Sequence, residues 1–158
     1  MSRPVKSTSR KTSSHPAPRP KADEQALHLQ RVRQQNRSEV VEDYVEAIAD
    51  LIDQTGEARA VDVARRIGVS HVTVIQTVRR LQRQGLATTQ PYRSIFLTPE
   101  GRRLAEQSRH KHDVVVAFLR AIGVPDKHAL ADAEGIEHHV GIETLAAFER
   151  FLAAIPQA

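Results

Sequence analysis

Residues 60–85, AVDVARRIGVSHVTVIQTVRRLQRQG, decide the fold of this chain of 158 residues. Residues 60–67 predict a short helix, and the Gly68-Val69 pair that follows predicts a tight turn. Ser70 is placed as the N-cap of a second helix that runs to about Gln84, with apolar residues recurring at three- and four-residue steps. Two short helices joined by a tight turn are typical of the helix-turn-helix.

The sequence after this segment predicts a small β-hairpin and then another helix. Residues 86–90 and 94–97 are short β-like runs, joined by residues 91–93. Thr98 and Pro99 have the residue types of an N-cap followed by a first-turn proline, so they predict the start of a long helix. Helix, turn, helix and hairpin in this order predict a winged helix-turn-helix with a two-stranded wing.

The second helix of this motif is predicted to contact DNA. In a helix-turn-helix it enters the major groove, and the side chains at its N-terminal end meet the base edges. Gln76 can pair bidentately with adenine, and Val72 and the methyl group of Thr73 can contact thymine methyls. The arginines are better placed for phosphates. The predicted DNA-contacting residues are His71, Val72, Thr73, Gln76, Thr77, Arg80 and Arg93. The alternative for a winged helix is a protein-interaction module.

The rest of the chain divides into three predicted parts around this motif. Residues 1–22 are rich in Ser, Thr, Pro, Lys and Arg without periodicity, which predicts a disordered basic tail, either adding phosphate attraction or dispensable. Residues 23–103 are predicted to form an N-terminal helix and the winged helix-turn-helix DNA-binding domain. Residues 104–158 predict a second, all-helical domain. The fold class is therefore mainly α.

Charge and composition separate two kinds of surface. Residues 38–58 hold seven acidic groups and no basic one, whereas residues 59–103 hold nine basic groups and two acidic ones. This distribution suits a chain that holds DNA at one place and a cation at another. With no cysteine, a disulfide framework and thiolate ligands are excluded. No apolar run approaches the ~20 residues of a membrane span, so we expect a cytoplasmic protein without membrane contact.

Carboxylates and imidazoles recur at helical spacing on both sides of the winged helix. Glu134, Glu137 and His138 stand at i, i+3 and i+4, which puts them on one face if the segment is helical. Asp43 and Glu46 form a second i, i+3 pair far upstream. Such pairs are usually solvated surface groups when they stand alone. Two sets flanking a DNA-binding motif instead suggest a sensor of a divalent metal such as Mn(II) or Fe(II), although Zn(II) or Co(II) would also fit.

The order of these elements resembles the diphtheria toxin repressor family of metal-dependent transcriptional repressors. The resemblance covers about residues 36–155, and its most specific string is EGIEHH at residues 134–139. It is closest to the manganese-responsive branch, because the iron-responsive branch has a Met where Asp43 stands and a Cys where Glu134 stands. Both residues here are harder donors, which favours manganese.

The resemblance implies specific roles for residues and partners. The implied ligands of a site for two Mn(II) ions per subunit are Asp43, Glu46, His112, Glu134, Glu137 and His138. It also implies that the helical domain binds metal and mediates homodimerisation, and that Mn(II) acts as corepressor on a palindromic operator of metal-transport genes. No enzymatic activity and no small-molecule substrate are expected.

Three other functions stay open at this point. The first is an Fe(II)-responsive regulator of the same family. The second is a dinuclear metallohydrolase, since paired carboxylates and histidines also build such sites, although no nucleophile arrangement supports it. The third is a metal-independent winged-helix regulator that responds to a small organic ligand.

Overall fold

The computed structural model describes residues 22–89 and 94–155, which form a largely helical protein. Within these residues the elements are α1 (Ala22–Thr55), α2 (Ala60–Ile67), α3 (His71–Arg83), β1 (Ala87–Thr89), β2 (Ile95–Leu97), α4 (Pro99–Ala121), α5 (Asp126–Ile136) and α6 (Ile142–Ala154). The mainly α fold class is confirmed. The predicted basic tail, apart from its last residue, and Arg93 lie outside the described residues.

Elements α2, α3, β1 and β2 form the predicted winged helix-turn-helix. Gly68 ends α2 in the left-handed conformation at φ 80°, where a residue without a side chain is least strained. Ser70 caps α3, since its side chain accepts a hydrogen bond from the backbone N–H of Thr73. Strands β1 and β2 pair antiparallel, with Ala87 opposite Leu97. The turn and both caps therefore lie where the sequence predicts them.

The N-terminal core is built on one face of α1. This face packs against α2, α4 and the wing, and apolar side chains of α3 belong to the same cluster. The largest fully buried side chains in this core are Val45, Ile48, Val63, Val74 and Leu81. Burial of branched aliphatic side chains is the main stabilising term for such a domain. Because this face of α1 is occupied by the core, its acidic residues lie on the remaining surface of the helix.

Helix α4 connects this core to a second, smaller one. Val115 and Val116 of α4 are buried with Ala133 of α5, and Leu119 and Phe148 pack against them. The rings of Phe118 and Phe148 stack with centroids 3.9 Å apart, which joins α4 to α6. Helix α4 is continuous across residues 103 and 104, so the two predicted domains share it. The boundary at that position stays a prediction.

The predicted helix over EGIEHH ends earlier than its spacing suggests. Helix α5 ends at Ile136, with Glu137 as its C-cap, and residues 137–139 form a turn. The N–H of Glu137 donates to Ala133 O over 2.9 Å, and the N–H of His139 then donates to Ile136 O over 3.0 Å, which closes a tighter turn. The idea that Glu134, Glu137 and His138 share one helix face is therefore wrong for His138, which leaves the helix.

None of the helices in the described part of the chain combines the length and apolarity needed to cross a lipid bilayer.

Replacing Gly101 by alanine should destabilise the protein. Gly101 lies in the first turn of α4, and a Cβ there would overlap the backbone carbonyl of Leu86, whose carbon is 2.9 Å away. Overpacking of this kind costs about 1–3 kcal/mol. Urea denaturation of the metal-free protein measures the change. The control is Gly135→Ala in α5, where a Cβ meets nothing within 4 Å, so about 0.5–1 kcal/mol of stabilisation is expected. Equal stabilities for both variants would contradict this packing.

Candidate functional site

One group of potential metal donors joins α4 to the end of α5. His112 Nδ1 lies 2.6 Å from Glu137 Oε2 and 3.8 Å from Glu134 Oε1. Each of these three residues offers a ligand atom within 4.8 Å of the others. We call His112, Glu134 and Glu137 the inner trio. His112 comes from the middle of α4, so the polar groups of the inner trio hold α4 against α5.

A second group joins α1 to the turn after α5. Glu39, Asp43 and His138 each offer a donor atom within 4.8 Å of the others, and we call them the outer trio. His138 Nε2 lies 3.2 Å from Asp43 Oδ1. The side chain of His138 is only 4% exposed, whereas that of Asp43 is 44% exposed. The outer trio therefore combines a buried imidazole with carboxylates nearer to solvent.

The two trios are adjacent. His138 Nε2 lies 3.6 Å from Glu137 Oε1, so one carboxylate of the inner trio faces the histidine of the outer trio. Glu46 of α1 lines the same pocket as Asp43, His112, Glu134 and Glu137. All six ligands that the sequence suggests thus lie around one pocket or in direct contact with its lining residues.

Glu137 shows why this pocket suits a cation. Its side chain is 5% exposed, and burial raises the pKa of its carboxyl group because the charged form loses its solvation. Among the described residues its short polar contacts are to the histidines, with no lysine or arginine within ion-pair distance. A buried carboxylate without a permanent counter-ion is costly. A divalent cation bound by oxygen and imidazole donors would supply a permanent positive charge beside this carboxylate, in place of the proton on His138.

Sequence reasoning did not identify Glu39 and Glu42. Glu39 precedes Asp43 by four residues, which puts both on the same face of a helix. This spacing could have identified Glu39 from the sequence. Glu42 is different, because it lies beside the trios: Lys111 Nζ is 2.9 Å from Glu42 Oε2, and His138 Nδ1 is 3.4 Å from the same oxygen. Nothing in the local spacing relates Glu42 to residues so distant in the sequence.

An acidic residue one turn beyond Glu46 connects this pocket to the winged helix. Asp50 of α1 forms ion pairs with Arg66 of α2 and with Arg109 of α4. Both Asp50 and Arg66 also line the pocket. Asp50 therefore ties three helices together at the point where the pocket meets the DNA-binding motif.

The N-terminal end of α3 is open to solvent, as DNA recognition requires. His71, Val72, Thr73 and Gln76 are exposed, and Thr77 and Arg80 are partly buried. The side chain of Val72 is 64% exposed although it is apolar. The opposite face of α3 carries Val74, Val78 and Leu81 into the core. The structure places four of the predicted side chains on the solvent-facing side of α3, whereas Thr77 and Arg80 lie at its half-buried edge; the contacts of all six with DNA stay a prediction.

These features define a class of protein: a winged-helix DNA-binding regulator with a carboxylate and histidine pocket between its two parts. Comparison with protein families agrees with this class. Residues 37–95 match the model for the iron dependent repressor N-terminal DNA binding domain, and residues 98–157 match that for the iron dependent repressor metal binding and dimerisation domain.

Several curated relatives match most of the chain. It is 48% identical over 129 residues to transcriptional regulator MntR of Escherichia coli O6:H1, covering 82% of this chain and 83% of that protein. The MntR of Salmonella typhimurium matches equally well, with 48% identity and 82% of each chain covered. The HTH-type transcriptional regulator MntR of Geobacillus kaustophilus is 37% identical over 100 residues, which are 63% of this chain and 71% of that protein.

Solved structures share the same fold. A manganese-dependent transcriptional repressor in complex with manganese superposes with a TM-score of 0.65 at 28% identity, covering 72% of this chain and 52% of that one. The IdeR of T. acidophilum gives a TM-score of 0.61 at 30% identity, covering 70% of this chain and 53% of that one. The chain thus spans about half the length of these two crystallised proteins.

The chain belongs to the iron-dependent repressor family, the family of the diphtheria toxin repressor. The resemblance inferred from the sequence is therefore confirmed. Its family and its curated relatives are DNA-binding transcriptional regulators, so the chain is a regulator and not a metallohydrolase. Residues 98–157 form its metal binding and dimerisation domain.

Proposed function

We propose that this chain is a manganese-responsive repressor of metal-transport genes, with two Mn(II) ions per subunit as corepressor. One observation carries the proposal: two adjacent trios of carboxylate and imidazole donors join α1 and α4 to the end of α5. The ligands would be Asp43, Glu46, His112, Glu134, Glu137 and His138, with Glu39 as an additional carboxylate. Their oxygen and imidazole atoms, without sulfur, suit Mn(II) or Fe(II).

The proposed response follows from charge. Without a cation, the carboxylates of α1 and those of the α5 end repel one another across the pocket. Bound cations would supply positive charge that offsets this repulsion. Asp43 and His138 would then hold α1 against the turn after α5. Asp50 would hold α2 against α1 through its ion pair with Arg66. If the conformation that binds DNA has the higher affinity for the metal, metal binding shifts the population of molecules toward that conformation.

We further propose that a homodimer binds a palindromic operator. The described part of residues 104–158 exposes several large apolar side chains, which favour an interface between subunits: Ile122, Leu130, Ile142, Phe151 and Ile155. Two recognition helices in a symmetric dimer meet half-sites about 34 Å apart. The predicted base contacts are those of His71, Val72, Thr73, Gln76 and Thr77, and Arg80 and Arg93 would contact phosphates.

Fluorescence anisotropy on a labelled palindromic operator tests the proposal. The protein is titrated with the DNA in EDTA and then in Mn(II), Fe(II) without oxygen, Co(II), Zn(II) and Mg(II). We expect Mn(II) to raise operator affinity about 10- to 100-fold, the usual range of allosteric coupling. A response to Fe(II) alone would favour the iron-responsive alternative. Equal affinity in EDTA and in all the ions would overturn the proposal and favour a regulator of another signal.

Replacing Asp50 by asparagine should weaken the coupling between metal and DNA. The neutral amide would no longer attract the guanidinium groups of Arg66 and Arg109, so α2 would be held less firmly against α1 while the two trios stay intact. We expect some loss of Mn(II) affinity, because a negative charge leaves the pocket lining, and an operator affinity of the Mn(II)-saturated protein about 2- to 30-fold lower. Calorimetry measures the first quantity and anisotropy the second.

The matched control for this variant is Asp62→Asn. Asp62 pairs with Arg65 within α2, at the surface and away from the pocket. It should leave both affinities within about twofold of the wild type, as expected for an exposed pair. An Asp50 variant with unchanged operator affinity would show that the bridge carries no coupling.

A further inference from the structure

A largely buried ion pair lies behind the outer trio, on the side of His138 that faces away from the carboxylate pocket. Glu42 of α1 and Lys111 of α4 form this pair, with Lys111 Nζ 2.9 Å from Glu42 Oε2. The Glu42 side chain is 12% exposed and that of Lys111 is 28% exposed. Neither residue belongs to the trios or to the apolar side chains that close the N-terminal core. Their position beside the imidazole therefore calls for another role.

The two ring nitrogens of His138 face different groups. Nδ1 lies 3.4 Å from Glu42 Oε2, whereas Nε2 lies 3.2 Å from Asp43 Oδ1 and 3.6 Å from Glu137 Oε1. Nε2 is thus directed at the carboxylates of the pocket, and Nδ1 at a carboxylate outside it. A histidine that binds a metal through one nitrogen usually donates from the other nitrogen to an oxygen acceptor, which fixes the orientation of the ring.

We propose that Glu42, anchored by Lys111, is a positioning residue that holds the His138 ring with Nε2 toward the metal pocket. The inference rests on the proposed function, since it assigns a support to one of the proposed ligands. Lys111 fixes one oxygen of Glu42, and that oxygen faces Nδ1. Because α1 supplies Glu42 and α4 supplies Lys111, the ring is oriented only when these two helices are packed together.

The electrostatics of the pair agree with this role. Glu42 is paired with the ammonium group of Lys111, so its carboxylate lies beside a permanent positive charge. A charged carboxylate is an acceptor only, so it selects the ring orientation in which Nδ1 carries the hydrogen. The neutral oxygen of a glutamine at position 42 is a weaker acceptor, and once Lys111 is also replaced the amide nitrogen can turn toward the ring, so that the selection is lost.

Mn(II) titration followed by electron paramagnetic resonance of the free ion tests this inference. Three proteins are compared: wild type, Glu42→Gln and His138→Gln. The wild type should bind two ions per subunit. Both variants should keep one ion at near wild-type affinity and bind the other more weakly, by about 10- to 100-fold for Glu42→Gln. Loss of the same ion in both variants is the signature of a residue that acts through His138.

Two further variants separate positioning from stability. Glu42→Gln leaves Lys111 without its partner and can lower stability, so the double variant Glu42→Gln/Lys111→Met removes the unpaired charge; it should fold like the wild type and still lose the same ion. Glu42→Asp keeps a carboxylate and should restore part of the affinity. Glu149→Gln is the matched control: Glu149 contacts His110 Nε2 at 2.8 Å on the surface between α4 and α6, outside both trios, and it should bind both ions normally.

The outcomes distinguish this inference from the proposed function. A wild type that binds no Mn(II) overturns both. The positioning role alone is overturned if the wild type binds two ions and both Glu42→Gln and Glu42→Gln/Lys111→Met bind them at wild-type affinity. Equal weakening of both ions in the double variant also overturns it, because Glu42 would then act on the whole fold. The absorption spectrum of the Co(II)-loaded proteins gives a second readout, since a changed ring orientation should alter the bands of one ion only.

Discussion

Glu137→Gln should abolish metal-dependent operator binding while leaving the metal-free protein about as stable as the wild type, or more stable. Glu137 contacts His112 at 2.6 Å and His138 at 3.6 Å, so it is the one carboxylate that faces the histidines of both trios among the described residues. Its loss removes a charged oxygen donor from the centre of the pocket. We expect Mn(II) affinity to fall at least about 100-fold. That is the upper end of the loss of metal affinity seen when a residue that only supports a ligand is mutated.

The stability of this variant follows from the raised pKa of Glu137. Burial raises that pKa, so the folded protein favours the neutral carboxyl group. The stability that this preference contributes is fully present below the unfolded pKa of 4.5 and is lost as pH rises through the folded pKa. Once the pH exceeds the folded pKa, the wild type buries a charge that glutamine does not carry. Urea denaturation in EDTA in acidic and in neutral buffer measures this difference.

The control for Glu137→Gln is Glu106→Gln, which changes an exposed glutamate of α4. This control should respond to Mn(II) like the wild type in operator anisotropy. A Glu137 variant that keeps the full response would contradict the proposed site. A variant that loses the response only because it unfolds in EDTA at neutral pH would contradict the stability argument.

Mn(II) binding at the outer trio should depend steeply on pH. Contacts with Asp43, and then with Glu42, raise the pKa of His138 to about 10 in the metal-free protein. An ion that binds Nε2 must displace a proton at any pH below that value. The affinity of this ion should therefore rise about tenfold per pH unit, or about 100-fold over two units between pH ~6.5 and ~8.5. A histidine at its usual pKa would give almost no change in the upper half of this range.

The same shift predicts how the metal-free protein responds to pH. A raised folded pKa means that His138 contributes stability that is fully present below the unfolded pKa of 6.5 and is lost as pH rises through the folded pKa of about 10. Calorimetric Mn(II) titration in buffers of different ionisation enthalpy counts the released protons, and denaturation in EDTA follows the stability. His138→Gln should remove both pH dependences. If Mn(II) binding to the wild-type protein released no proton above neutral pH, that result would contradict the raised pKa of His138.

The winged helix-turn-helix could be predicted closely from the sequence because its signals are local. Ser70 and Thr98 cap helices by bonding to backbone groups three residues away, and Gly68 is needed where α2 ends with positive φ. Such features depend on residues within one helical turn, so their positions in the sequence are enough. The pairing of the two strands follows in the same way from a short hairpin, and the predicted bounds differ from the observed ones by about one residue.

The six proposed metal ligands could be named from the sequence only as a set, and their binding of an ion stays a prediction. Spacing drew attention to Asp43, Glu46, Glu134, Glu137 and His138, and His112 entered through the family resemblance. Spacing did not tell which ligands belong together. It suggested that Glu134, Glu137 and His138 act as one group, whereas α5 ends at Ile136 and His138 turns away to meet Asp43 and Glu39 of α1.

What the tertiary structure decided are the contacts between residues that the chain itself keeps far apart. Glu42 meets Lys111 and His138 across gaps of 69 and 96 residues, and Asp50 meets Arg66 and Arg109 across gaps of 16 and 59. These pairs depend on the angle and depth at which α1 packs on α2 and α4, and that packing is set by the apolar side chains of the core. Local pattern fixes which face of a helix is polar, but only the packed helices determine which polar group lies opposite.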